Sequence, residues 1–337
     1  MHYPIAILPV LAFLAALRAM DSYQLVRLRM VVISVAAGLA AALLSYAANR
    51  LLSDLLAVDL TVYRRYISPF VEETLKCAWI VWLVLRRRTG FTVDAAIHGF
   101  AAGAGFAVVE NIYYLVSSPD AGIAFSIVRG FGPALMHGTA TAVFAIVSRT
   151  SFEERGPRFV RVFVPAWLLA IAIHSVFNHF FISPLSSALS LVIGVPALMT
   201  VVLRQSERSL KSWLGMGFDA DAQMLEMIIT GNIADTHIGS YLLSLKQSFP
   251  GETVADMLCY LRLHLELSIR AKGILLMREN GFEPPPDPEV GERFDELRYL
   301  EGRIGLTGKL ALHPLLRWSA RDLWQLNMLS EMRNGRP

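Results

Sequence analysis

Cysteine is scarce in this chain. Its two cysteines, Cys77 and Cys259, stand far apart among 337 residues, so neither a disulfide framework nor a CxxC metal site can be built. Charge is scarce too. Lys, Arg, Asp and Glu make up 18% of the residues and leave a net charge of +3. No basic block is interleaved with aromatics, which argues against a nucleic-acid partner. The short helical zinc motif HExxH is missing, and no internal repeat is evident. No basic leader precedes the first apolar run. Ahead of Arg18 there is only His2 and apolar sequence, so this segment is expected to remain as a first membrane span.

What is abundant is apolar sequence. Hydrophobic residues make up 54% of the chain and the mean hydropathy is +0.47, too apolar for a soluble domain of this length. A bilayer core takes about 20 apolar residues in a helix. Seven stretches are expected to serve: 3–19, 28–48, 68–85, 93–116, 131–149, 161–181 and 184–203. Residues 119–130, with Pro119, Asp120 and Arg129, read as a loop or interfacial segment. The fold class is therefore all-α, a polytopic bundle of about seven transmembrane helices over residues 1–205. Residues 206–337 are mixed in polarity. Helical periodicity in LEMIITGN, DMLCYLRLHLEL and RWSARDLWQLNML points to a C-terminal cytosolic helical domain, with EPPPDPEVGE (283–292) as a Pro-rich linker or rigid loop.

Arginine and lysine set the expected orientation. They collect in alternate loops: Arg18, Arg27 and Arg29; Arg86, Arg87 and Arg88; Arg149, Arg155, Arg158 and Arg161; then Arg204, Arg208 and Lys211. That side should be the cytoplasm, with the N-terminus outside and the C-terminal domain inside. The second loop, with Arg50, Arg64 and Arg65, blurs the contrast.

Ionisable groups inside the spans are few and concentrated. A charge at bilayer depth costs at least about 2.5–3.5 kcal/mol on insertion scales, so it usually faces a partner or a water-filled cavity. The stretch FVEETLKCAW carries Glu72, Glu73 and Lys76. Span four carries His98 early and Glu110–Asn111 late, span five His137, and span six His174, Asn178 and His179. With the topology above, Glu72, Glu73, Glu110, His137 and His174 all fall roughly 6–11 Å below the outer surface. Four helices thus carry polar groups at one level. His98, near the cytoplasmic end, and His179, at the outer interface, are read as structural or interfacial. Glu72 and Lys76 are spaced i, i+4 and are expected to pair, with Glu73 turned toward another helix. The small residues of AAGAG (101–105) would let helices pack closely. Taken singly, each of these groups could also be a helix–helix hydrogen bond or an interfacial ion pair.

In their order these residues resemble a known family. EETLK (72–76) matches an EExxK motif and FAVVEN (106–111) an FxxxEN motif. His137 follows, and HSVFN (174–178) matches HxxxN. The chain is similar, over roughly residues 1–205, to the PrsW family of bacterial intramembrane proteases, a branch of the wider CPBP group that includes a prenyl-protein endopeptidase. The wider group has a histidine where this chain has Glu110, a departure typical of the PrsW branch. The resemblance implies cleavage of a membrane-anchored protein near its extracytoplasmic side, an anti-sigma factor in the best-known branch. It also implies a multi-pass protein of the bacterial inner membrane. Glu72 or Glu73 would activate water, with His137, His174 and Asn178 lining the site and Lys76, Phe106, Glu110 and Asn111 supporting it. Such proteins have been described both as metalloproteases and as glutamic proteases.

Peptide hydrolysis needs an activated water, an oxyanion stabiliser and a proton donor. The working reading expects no cofactor: Glu72 is general base with Glu73 assisting, His174 orients water or donates a proton, Asn178 and His137 polarise the carbonyl, and Lys76 sets the charge state. The other places Zn²⁺ on His137, His174 and Glu72, since His₂Glu is a known catalytic set. The expected partners are a single-span membrane protein as substrate and the surrounding lipid. The tail could recruit substrates, sense a cytosolic signal or hold a homodimer together. A proton- or ion-coupled transporter and an inactive scaffold are the alternatives. The inner halves of the spans carry almost no ionisable group, which suits a one-sided pocket better than a path across the membrane.

Overall fold

The structure is a computed structural model, described for residues 3–334 except 157, 286 and 317–319. Its regular elements are helices, and no strand occurs among the described residues. The chain divides into two compact units, Met1–Glu207 and Arg208–Pro337.

The first unit contains α1 (Tyr3–Ala19), α2 (Leu28–Leu56), a single turn α3 (Leu60–Val62) running into a π-helical turn (Tyr63–Ile67), and α4 (Ser68–Leu85). Then follow α5 (Thr92–Ser117), α6 (Ile123–Phe131), α7 (Pro133–Arg155), α8 (Phe159–Asn178) and the first part of α9 (Pro184–Ile229). Five helical stretches are long and apolar enough to cross a membrane: 28–56, 92–117, 123–155, 159–178 and 184–229. Of the seven expected spans, two stand apart. Helix α1 is apolar but has only 17 residues, and the 18 residues of α4 include Glu72, Glu73 and Lys76.

Three expected boundaries move. Helix α2 continues past residue 48 to Leu56, and α9 continues past 203 to Ile229. The segment expected as a loop or interfacial stretch at 119–130 holds most of the nine-residue helix α6. Asp120 and Pro119 fit its preceding turn, whereas Arg129 belongs to the helix.

Helix α5 is the axis of this unit. Every residue from Val93 to Ala107 is buried, because most of them are too small to hold neighbours away. The AAGAG stretch works on two faces. A Cβ at Gly103 would fall on the backbone carbonyl of His137 in α7, and one at Gly105 on the carbonyl of Val35 in α2. Both obstacles are backbone, which cannot rotate aside as a side chain can. Gly103→Val should therefore force α5 from α7 beside His137 and cost about 1–3 kcal/mol, as overpacking does. Thermal unfolding in detergent would measure this, with Gly194→Val, whose surroundings are open, as the control.

The second unit is built on α10 (His237–Leu245), α11 (Gly251–Glu279), α12 (Glu289–Ala311) and α13 (Ala320–Asn334), with the latter part of α9. DMLCYLRLHLEL lies in α11 and LEMIITGN at the end of α9. RWSARDLWQLNML reaches α13, though residues 317–319 lie outside the described set. The Pro-rich segment separates α11 from α12, which starts at Glu289, inside the expected 283–292 loop. Pro286 also lies outside the described residues. Helix α11 buries Leu261, Leu265 and Leu275 along with Lys272, which pairs with Asp221 at 2.5 Å.

Candidate active site

Four helices bring Glu72, Glu73, Lys76, Glu110, His137 and His174 into one cluster. They come from α4, α5, α7 and α8. Glu73, Lys76, His137 and His174 are each no more than 2% exposed.

The two glutamates have separate environments. Lys76 Nζ donates to Glu73 Oε1 at 2.6 Å, the i, i+3 partner. It does not pair with Glu72, as the i, i+4 spacing suggested. The helix is rotated so that Glu73 and Lys76 both point into the bundle, while Glu72 turns toward α2. His174 Nδ1 donates to the same Glu73 oxygen at 2.7 Å. Glu73 is thus held by an ammonium and an imidazole from different helices. Glu72 Oε1 instead accepts from Ser68 Oγ at 2.5 Å and from Asn49 Nδ2 at 3.4 Å. Glu72 Oε2 is buried without a hydrogen-bond partner, 3.8 Å from His174 Nε2.

The imidazoles are also oriented. Lys76 Nζ lies 3.0 Å from His137 Nδ1. An ammonium can only donate, so Nδ1 is the accepting nitrogen and Nε2 carries the proton. That Nε2–H faces Glu110 Oε2 at 3.0 Å. His174 is the mirror case: its Nδ1–H is spent on Glu73, leaving the Nε2 lone pair on the Glu72 side. Each histidine therefore has its own carboxylate, Glu110 behind His137 and Glu73 behind His174. The rings stand perpendicular, 4.8 Å apart. Phe106 closes one side, 4.9 Å from the His137 ring and 4.6 Å beneath Lys76 Nζ.

Asn178 is not brought to this cluster. Its amide donates to the backbone carbonyl of Arg64 at 3.0 Å, and Ser175 Oγ donates to that of Arg65 at 2.6 Å. The reason lies in the π turn at 63–67, where the Ser68 N–H reaches back to Tyr63 O, and carbonyls of this segment are taken up by α8. Asn111 points the other way and donates to Ala6 O in α1 at 2.7 Å. His98 is buried and bonded to Ser34 Oγ at 2.9 Å, and His179 bonds Tyr66 at 3.0 Å, both in keeping with structural roles.

Sequence reasoning missed four contributors. Ser68 and Asn49 hold Glu72, and Tyr63 donates to Asn49 Oδ1 at 3.0 Å. Arg129 reaches Glu110. Ser68 lies four residues before Glu72, so helical spacing could have revealed it. Asn49 and Tyr63 carry no such signal.

Chemically, Glu72, His137 and His174 each offer one ligand atom, all within 4.8 Å of one another. Ligating histidines characteristically donate their second nitrogen to a carboxylate, and both imidazoles here do so. The donor set and the unpaired buried oxygen of Glu72 therefore fit a metal ion.

Fold and site together define an all-helical membrane protein with a buried carboxylate–imidazole centre. Residues 26–204 match the model of the PrsW family intramembrane metalloprotease, more than half of the chain. The protein belongs to the PrsW family and is an intramembrane protease. No curated protein and no solved structure matches it.

Proposed function

We propose that the protein is an endopeptidase that cuts a single-span membrane protein near the extracytoplasmic face of the bacterial inner membrane, with Glu72, His137 and His174 as its metal-binding set. The observation that carries this reading is the pairing of two imidazoles, each hydrogen-bonded to its own carboxylate, beside a buried Glu72 oxygen with no hydrogen-bond partner. A metal such as Zn²⁺ would supply Lewis acidity and an activated water there. The chain supplies the rest. Glu110 and Glu73 fix the tautomers of His137 and His174, Ser68 and Asn49 aim Glu72, and Phe106 keeps bulk water from Lys76. The N-terminus faces outside and residues 208–337 lie in the cytosol, where they recruit substrate or join two copies. An anti-sigma factor is the substrate class suggested by the family resemblance.

A second reading follows from Lys76. Its ammonium sits on the His137 Nδ1 lone pair that a metal would use. In that arrangement Glu72 acts as general base on water without a cofactor. Metal-stripped, purified protein decides between the two. Loss of cleavage restored by Zn²⁺ supports the metal set, whereas full activity with no detectable metal supports the general base. The function itself is tested by comparing membrane proteomes of wild-type and Glu72→Gln cells. A single-span protein should persist uncut in the variant, and identical proteomes would count against the proposal.

A further inference from the structure

Helix α6 lies where a loop or interfacial segment was expected, and its only charged residue points into the protein. Arg129 is 9% exposed. Its Nη2 donates to Glu110 Oε2 at 2.7 Å, the same oxygen that lies 3.0 Å from His137 Nε2. Its Nε donates to Asn111 Oδ1 at 3.0 Å. Asn111 is itself tied to Ala6 O at 2.7 Å and to the Arg129 carbonyl at 3.4 Å. The guanidinium lies over the Tyr114 ring, 4.0 Å from its centroid. One planar cation thus grips two adjacent side chains of the FxxxEN stretch and is fixed on its third side by an aromatic face. Lysine could pair with Glu110 but could not span both acceptors.

We infer that Arg129 is a positioning residue for the site: it holds Glu110 against His137 Nε2–H and so keeps the His137 Nδ1 lone pair turned into the cluster. The chain of contacts runs α6 to α5 to α7, Arg129 to Glu110 to His137. Without the cation, Glu110 is a partly exposed carboxylate, 22% exposed, free to swing toward solvent. His137 would then lose the acceptor of its Nε2–H, one of the two contacts that select its tautomer, the Lys76 ammonium at Nδ1 being the other. The proposal rests on the reading of His137 as a site residue, and its test separates the two.

The test uses purified full-length protein, wild type against Arg129→Gln and Arg129→Met, with Arg129→Lys as the conservative rescue. The first readout is ¹⁵N NMR of histidine-labelled, metal-free protein, which reports the His137 tautomer. Wild type should show Nε2–H alone, both neutral variants a detectable share of the Nδ1–H form despite the remaining Lys76 contact at Nδ1, and Lys a partial return. The second readout is Co²⁺ titration followed by its visible absorption. Binding should weaken about 10–100-fold in the neutral variants, the usual loss when an outer-shell partner of a ligating histidine is removed. A role confined to stability would lower the melting temperature and leave tautomer and affinity unchanged. That result, in whichever neutral variant folds, overturns the inference. If wild type fails to bind Co²⁺ while the tautomer still shifts, the metal set falls and the positioning role stands.

Discussion

Glu72→Gln is expected to lower peptide cleavage by about 100- to 10,000-fold, the range for losing a positioned acid–base group, while the protein keeps its fold. The amide is nearly isosteric. Its carbonyl oxygen can still accept from Ser68 and Asn49, which hold only the Oε1 side. What disappears is the anionic oxygen with no other partner, and with it either a metal ligand or a base. Glu73→Gln should behave differently. It removes the counter-charge of a lysine with no exposed side-chain surface, so stability and cleavage fall together. Cleavage of the substrate found by proteomics, read beside thermal unfolding of each variant, separates these outcomes. An active, stable Glu72→Gln protein would remove Glu72 from the proposed chemistry.

Lys76→Met should have the largest effect on the fold. Breaking a fully buried ion pair by deleting one partner costs about 3–5 kcal/mol, because the remaining charge is left uncompensated. Glu73 would keep only His174 as donor, and the Phe106 ring would lose the cation above it. Cleavage should fall as well, since the carboxylate that His174 bonds is then no longer held in place by Lys76. The double variant Lys76→Met with Glu73→Gln removes both charges and should recover much of the lost stability. Denaturant unfolding in detergent measures all three proteins. A single Lys76→Met protein as stable as wild type would show that the pair is not the anchor of α4.

The general position of the site was legible because charge is costly in lipid. Glu72, Glu73, Lys76, Glu110, His137 and His174 stood out against apolar runs, and counting residues from the expected surface put them at one level. Pairing was less legible. Whether Lys76 meets Glu72 or Glu73 depends on how α4 is rotated in the bundle, and spacing allows both. Arg129 was hidden by the same rule that exposed the others: a charge in the same short segment as Pro119 and Asp120 looked like a sign of a loop or interfacial stretch. Asn178 shows the reverse error. Its position one turn from His174 suggested a shared face, but the backbone of 63–67 claims its amide. Helix ends were the least legible, since nothing in the composition of α2 or α9 stops a helix at the membrane surface.

The wide turn at Tyr63–Ile67 has a bearing on how this region tolerates change in length. A π turn holds one residue more than an α turn, and it absorbs that residue with little change of rotational phase between α4 and the chain before it. Deleting one residue there would rewind the turn as α-helix with the two sides near their present phase, whereas inserting one would offset them by about 100°. Tyr63 would leave Asn49, and Asn49 would leave Glu72. Single-residue insertions in this short segment should therefore damage the site more than single deletions or many substitutions within it, although none of its five residues belongs to the cluster.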